Sequence, residues 1–248
     1  MLEFLHTDVR RASRTVLMDV TLSLPRGTLT ALIGRNGCGK STLLSTITGE
    51  STYTGSILLD SHELSALPQR ERAQKATLLP QSLTSPHMTV RELVNLGRLP
   101  HLSLTSRFSS ADRQAVEQAI GDVGMESFCD KYLDEISGGE RQKAYLAMIL
   151  AQETPLLLLD EPTTYMDLAF SHRFMEKLDR IKEEREKTLL VAMHDLELAV
   201  RYADLLAVLD EGRLRFFGSV SECLERGIIE EIFGVRRITA EGHTLFTG

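Results

Sequence analysis

The sequence predicts an α/β fold built on a mainly parallel sheet, and three observations carry that prediction. An apolar strand-like run, TLTALI, leads directly into the glycine-rich string GRNGCGKST at 34–42. Further apolar runs, LLLLD at 156–160, TLLVAM at 188–193 and LLAVLD at 205–210, are separated by helical segments. That alternation is the pattern of parallel strands joined by crossover helices. Between about Ser82 and Gln152 the pattern becomes helical, which predicts an inserted lobe rather than more sheet.

Taken in order, residues 2–33 alternate like strands, with Val20, Leu22 and Leu24 on one face and a turn at Pro25-Arg26-Gly27. A helix of about two turns follows the glycine-rich string. GSILLD at 55–60 reads as a strand, LPQRERAQK as a helix, and ATLLP at 76–80 as a buried strand ending at Gln81. Thr89 followed by Glu92 is a capping box, and Ser109 followed by Asp112 has the look of a second helix start. Val116, Ala119, Ile120 and Val123 then recur at helical spacing. Ser137-Gly138-Gly139 precedes a helix from about Glu140 to Gln152. KEEREK at 182–187 reads as a solvated helix face, and the last dozen residues carry little signal.

Bulk properties narrow the function. At 248 residues the chain can bury a large core, as one α/β domain or one domain with a lobed insertion. Net charge is −7 with no Lys/Arg block, which argues against nucleic acid as the main partner. No apolar run is long enough to span a bilayer, and MLEFLHTDVRR does not read as a signal peptide. The expectation is a cytoplasmic protein that meets a membrane only through a partner. Cys38, Cys129 and Cys223 lack metal-ligand spacing and read as reduced thiols.

The chemistry starts with GRNGCGKST, which matches G-x-x-x-x-G-K-[ST]. Gly34, Arg35, Asn36, Gly37, Cys38, Gly39, Lys40, Ser41 and Thr42 form a candidate nucleotide cradle. Glycines let backbone N–H groups turn toward phosphate oxygens, and the following helix points its positive end at them. Lys40 would reach the β- and γ-phosphates, and the Ser41 hydroxyl would hold Mg²⁺. Donors around Cys38 should favour its thiolate. In LLLLDE, Asp160 falls at the carboxyl end of a buried strand, the edge where ligands of open α/β sheets bind. Asp160 would serve the Mg²⁺, and Glu161 would orient or deprotonate the attacking water. Ser137-Gly138-Gly139-Glu140 offers a second helix terminus suited to an anion.

With ISGGE at 136–140 and LLLLDEP at 156–162 at their observed spacing, the sequence resembles the ATP-binding subunits of ABC transporters, from about Leu2 to Ile238. The resemblance implies a P-loop ATPase of ABC type, with an N-terminal antiparallel β subdomain and an inserted α-helical subdomain. It implies one domain over 1–248: a nucleotide-binding core at 2–81 and 153–238, a helical insertion at 82–152, and a tail at 239–248. Gln81 is then a residue that touches Mg²⁺ and the lytic water and senses the membrane partner. His194 is a switch histidine for the γ-phosphate, and Asp167 belongs to the loop crossing between two sites. The resemblance also implies a homodimer stacked head to tail, in which Ser137, Gly138, Gly139 and Glu140 of one copy cap ATP held by Lys40 of the other. The family usually has an aromatic residue for adenine where this chain reads Val9-Arg10-Arg11. Arg10 or Arg11 is either a stacking substitute or a surface arginine.

VRELVNLGRLPHLSL at 90–104 and DEPTTYMDL at 160–168 resemble the ATPases of bacterial importers for iron chelates, siderophores in particular. That implies two integral-membrane permease subunits, indirectly a substrate-binding protein, and a place on the cytoplasmic face of the inner membrane. Haem and cobalamin importers, or a soluble iron–sulfur cluster assembly ATPase, are the alternatives. A small-molecule P-loop kinase would leave SGGE, the DEP run and His194 without a reason. The chain stops soon after the sheet, without the extra C-terminal domain of some importer ATPases. Leu83, His87, Met88 and Val90 either meet a short helix of the permease or pack the insertion.

Overall fold

The computed structural model describes residues 1–11, 14–102, 107–164, 166–240 and 243–247. Tyr165 of the TTYMD string, and Ser103 and Leu104 at the end of the 90–104 segment, lie outside them.

The chain opens with β1 (Leu2–Arg11), β2 (Arg14–Leu24) and β3 (Leu29–Gly34), then α1 (Lys40–Thr48). β4 (Thr52–Leu59), the two-residue β5 (His62–Glu63), α2 (Gln69–Lys75) and β6 (Ala76–Leu79) follow. The helical stretch contains α3 (Val90–Leu96), α4 (Ser110–Val123) and α5 (Gly138–Ala151). β7 (Leu156–Asp160), α6 (Leu168–Glu184), β8 (Thr188–Met193), α7 (Leu196–Tyr202) and β9 (Leu205–Asp210) resume the alternation. β10 (Arg213–Ser219), α8 (Val220–Glu225), α9 (Ile228–Phe233), β11 (Arg236–Ala240) and β12 (His243–Thr247) complete the described chain.

Six strands form the central sheet in the order β10-β9-β3-β8-β7-β6. All neighbours are parallel except the edge strand β10, which runs antiparallel to β9. β3, β7 and β8 are buried along their whole length, as sheets covered on both faces require. Their period of two sends side chains to two cores. Leu29, Ala31 and Ile33, with Leu157 and Leu159, join α3, α4, α5 and α6 in one. Leu32, Leu156 and Leu158 join α1 and the second sheet in the other. That second sheet, β2-β1-β4-β5, is antiparallel throughout. Val20, Leu22 and Leu24 do share its buried face.

Both helix starts read from sequence are complete capping boxes. Thr89 accepts from the Glu92 amide and Ser109 from the Asp112 amide, and each acidic side chain bonds back to its cap. Three expectations need correction. α5 begins at Gly138, two residues before Glu140, because Ser137 itself is the N-cap. KEEREK is a solvated face only in part: Glu183, Glu184 and Glu186 are exposed, but α6 ends at Glu184 and the chain turns inward to enter buried β8. Lys182 therefore pairs with Asp179 and Asp204, Arg185 with Asp122, and buried Lys187 donates to the carbonyls of Glu153 and Thr154. The C-terminal residues, patternless in sequence, form the β11–β12 hairpin, so the boundary drawn after residue 238 falls inside β11.

Candidate nucleotide-binding and hydrolysis site

The phosphate loop is shaped by what surrounds it. A methyl group on Gly34 would stand 2.3 Å from the Leu209 carbonyl oxygen, and one on Gly39 2.5 Å from Leu17 Cδ2. Gly39 also sits at φ +111°, where a side chain is strained. As N-cap of α1 it offers no side-chain bond, and no acidic residue occupies the first turn of that helix. The amide donors at this terminus are thus left for an external anion.

Lys40, Ser41 and Thr42 project from that turn into a cavity of about 370 Å³, also lined by Asn36, Gly37, Gly39, Gln81, Glu161 and His194, with Arg11 and Val16 among its lining residues. β1, β2, the loop from β3 into α1, and the segments after β6, β7 and β8 thus bring together residues spread over most of the chain. Lys40 is buried, donates to the Gly34 carbonyl at 2.9 Å, and lies 4.0 Å from Glu161 Oε1. Glu161 follows β7 and continues its ladder, its amide donating to the Ala192 carbonyl at 3.0 Å. Its φ of +51° is the left-handed region, unusual for a side-chain-bearing residue and frequent where a site needs a sharp redirection. Gln81 Nε2 donates to Glu161 Oε2 at 2.5 Å, and His194 Nε2 contacts Oε1. The buried carboxylate is therefore held by one residue from the end of β6 and one from the end of β8.

Burial raises the Asp160 carboxyl above its ordinary range, against a hydrogen bond from Ser41 that lowers it. Its Oδ1 is buried and has no hydrogen-bond partner. An orphaned carboxylate oxygen beside a serine hydroxyl, at the foot of a phosphate cradle, fits a hard divalent cation.

Cys38 departs from expectation. It is buried, and burial pushes its thiol up, outweighing Lys40 and the backbone donor, which act in the other direction. The thiol packs into the core beside Gly34, and the Cys38 amide donates to the Arg35 carbonyl at 3.2 Å, so the thiolate is not favoured.

Ser137, Gly138, Gly139 and Glu140 do not line the phosphate cavity. Ser137 Oγ accepts from the Glu140 amide, and Glu140 Oε2 accepts from Ser137 N and Oγ, each at 2.8 Å. Gly138 and Gly139 line a second cavity with Gln81, Thr164 and Met166. Asp167 is exposed and N-caps α6, accepting from the Phe170 amide at 2.7 Å. Of the four residues on the expected permease surface, Val90 is fully buried in the insertion's core and is unavailable. Leu83 and Met88 are partly buried against that core, and exposed His87 stacks on Tyr132. Arg11, and not Arg10, lines the phosphate cavity. Val16, not singled out as a site residue from the sequence, also lines the cavity, and with Leu17 it packs against Gly39.

The model of the ABC transporter family matches residues 17–164. The chain is 41% identical over 224 residues to the ferric enterobactin transport ATP-binding protein of Escherichia coli (strain K12), covering 90% of this chain and 83% of that one. It is 37% identical to the iron(3+)-hydroxamate import ATP-binding protein of Bacillus subtilis (strain 168), with the same coverage. Among solved structures, a dimeric ATP-binding cassette in a post-hydrolysis state with ADP and Pi superposes with a TM-score of 0.76 at 23% identity, over 89% of this chain and 99% of that one.

Proposed function

From the premise that the chain belongs to the ABC transporter family, we propose that it is the ATP-hydrolysing subunit of an importer for an iron chelate of siderophore type. The observation that carries the mechanism is the buried Glu161 carboxylate, gripped by Gln81 and His194 in a cavity also lined by the glycines of the phosphate loop and by Lys40. ATP lies along the phosphate loop, with Lys40 on its β- and γ-phosphates and Arg11 as the platform for its base. Asp160, Ser41 and Gln81 are the residues that would hold Mg²⁺, which supplies a Lewis acid for the phosphate charge. Glu161 orients the attacking water and accepts its proton. Gln81 and His194 set the position of that carboxylate and sense the γ-phosphate.

The site is half of a site. The Ser137-Gly138-Gly139 lip is outside the phosphate cavity of its own chain. Two copies stack head to tail, each lip closing on the ATP of the other, with Asp167 crossing between them. Leu168, 67% exposed beside Asp167, would be covered by that contact. ATP then bridges the subunits, and hydrolysis removes the bridge, a differential contact that can drive a switch. No described helix is long and apolar enough to cross a membrane. The dimer works on two permease subunits at the cytoplasmic face of the inner membrane, with Leu83, His87 and Met88 toward them, and a binding protein delivers cargo. Two relatives that serve an enterobactin and a hydroxamate importer support iron chelates as the cargo class. We retain 2–81 with the chain from 153 up to β11 as nucleotide core and 82–152 as insertion within this scheme.

Glu161→Gln is expected to trap an ATP-bound dimer, read by sedimentation with saturating ATP and Mg²⁺. Finding only monomers would overturn the head-to-tail reading. Iron-limited growth of a deletion strain on defined chelates identifies the cargo, and normal growth on every chelate would remove the iron assignment.

A further inference from the structure

One aromatic ring, Phe170 in the first turn of α6, reaches the first turn of α5. A methyl group on Gly139 would stand 3.2 Å from Phe170 Cζ and 3.4 Å from its Cε1, so the ring lies against bare helix backbone. Lys143, one turn beyond Gly139 on the same face of α5, places Nζ 5.2 Å from the ring centroid. Arg173, one turn along α6, places its guanidinium carbon 5.6 Å away. Cations at such distances are attracted by the negative ring face. The backbone of Phe170 is fixed as well, since its amide is the one capped by Asp167. A single side chain thus links the helix that carries the Ser137-Gly138-Gly139 lip to the loop running from Glu161 to Asp167. The two segments also share a cavity wall, through Gly138, Gly139, Thr164 and Met166.

We propose that Phe170 is a positioning residue that locks the signature lip to the Glu161–Asp167 loop of the same chain. The lip grips the nucleotide of the other copy, while the loop starts at the chain's own catalytic carboxylate. A rigid contact between them makes closure on one ATP adjust the geometry around the second. The inference rests on the head-to-tail reading above. A methyl group at position 139 would need the ring to give by a few tenths of an ångström, so the contact is tightest with glycine there.

The test uses the full-length chain carrying Glu161→Gln, with ATP-driven dimerisation followed by sedimentation and binding of a fluorescent ATP analogue measured on dilute monomer. Adding Phe170→Ala is expected to raise the ATP concentration for half-dimerisation by about tenfold, a coupling of ordinary size between sites. Monomer affinity should stay unchanged, and Phe170→Tyr should restore dimerisation. An unchanged midpoint, or no recovery with tyrosine, overturns the proposal. Should Phe170→Ala fail to fold by calorimetry, Lys143→Gln carries the test: a smaller shift in the same direction supports it, and none overturns it. If the Glu161→Gln parent itself does not dimerise, the head-to-tail reading fails instead.

Discussion

Glu161 and Asp160 are neighbours in sequence with opposite electrostatic situations. Glu161 is surrounded by Gln81, His194 and Lys40, while Asp160 keeps one buried oxygen with no partner. Burying a carboxylate without full compensation is costly, so Asp160 is a residue at which function is held against stability. The direction in pH follows from its raised carboxyl. A folded-state value above the unfolded one means the carboxylate opposes folding, by an amount that grows as pH rises from the unfolded value through the folded one. Asp160→Asn is accordingly expected to raise the melting temperature of the nucleotide-free protein at pH 7 while abolishing hydrolysis, measured by calorimetry and phosphate release. A lower melting temperature would show that the orphan oxygen is compensated. Cys38 teaches the same lesson in reverse. Its neighbours in sequence suggest an activated thiol, and its burial decides otherwise.

At the level of elements, the two helix N-termini with anion-binding sequences are finished differently. α1 starts on a glycine with no cap and no acidic first turn, whereas α5 starts on a complete capping box. A glycine at the N-cap forgoes only a few tenths of a kcal/mol relative to serine or aspartate and leaves the terminal amides without a side-chain acceptor. α4 shows the capping logic joined to packing. Asp112 closes the box with Ser109 and also accepts from Arg98 Nε at 2.9 Å, in a buried pair that ties α4 to the end of α3. Hydrogen bonds from Ser109, with Arg98 adding to them, lower its carboxyl to about 2. Here the folded value is depressed, so its contribution is present above the unfolded value near 4 and is lost as pH falls through about 2. Asp112→Ala should destabilise the protein by about 2–3 kcal/mol at pH 7, combining a lost cap with a half-emptied buried pair. The difference from the parent should narrow steadily in urea melts below pH 4. A gap of constant size down to the lowest pH would rule out the ionised carboxylate as its source.

At the level of the whole molecule, the sheet edge gathers Lys40, Gln81, Asp160, Glu161 and His194 from strands far apart in sequence, and leaves Ser137 outside. That separation makes a sharp expectation for mixtures. On the proposed head-to-tail arrangement, Lys40→Ala and Ser137→Ala subunits are each expected to be inactive alone, whereas a mixed dimer would have one fully native site, formed by Lys40 of the second and Ser137 of the first. Single-turnover hydrolysis should reappear on mixing. Its absence, with mixed dimers demonstrated by cross-linking, would mean each chain completes its own site.

Much of this was written locally. A phosphate loop depends on glycines at fixed offsets, a capping box on residues three apart, and a buried parallel strand on an unbroken apolar run, so GRNGCGKST, Thr89 with Glu92, and LLLLD all announced themselves. The alternation of strand and helix then fixed the architecture, because twisted parallel strands leave few ways to connect. What needed the folded chain was everything set by non-local burial. Val90, Cys38 and Lys187 look available in sequence and are taken into the interior by elements distant along the chain. The β11–β12 hairpin lacks a pattern because it is held by α7, with Phe246 N donating to Glu197. The bonds from Gln81 and His194 to one glutamate, and the ring of Phe170 against Gly139, exist only after the sheet has closed. Short-range rules act through a few bonds and survive in a string of letters; desolvation depends on what arrives from elsewhere, and only tertiary structure decides it.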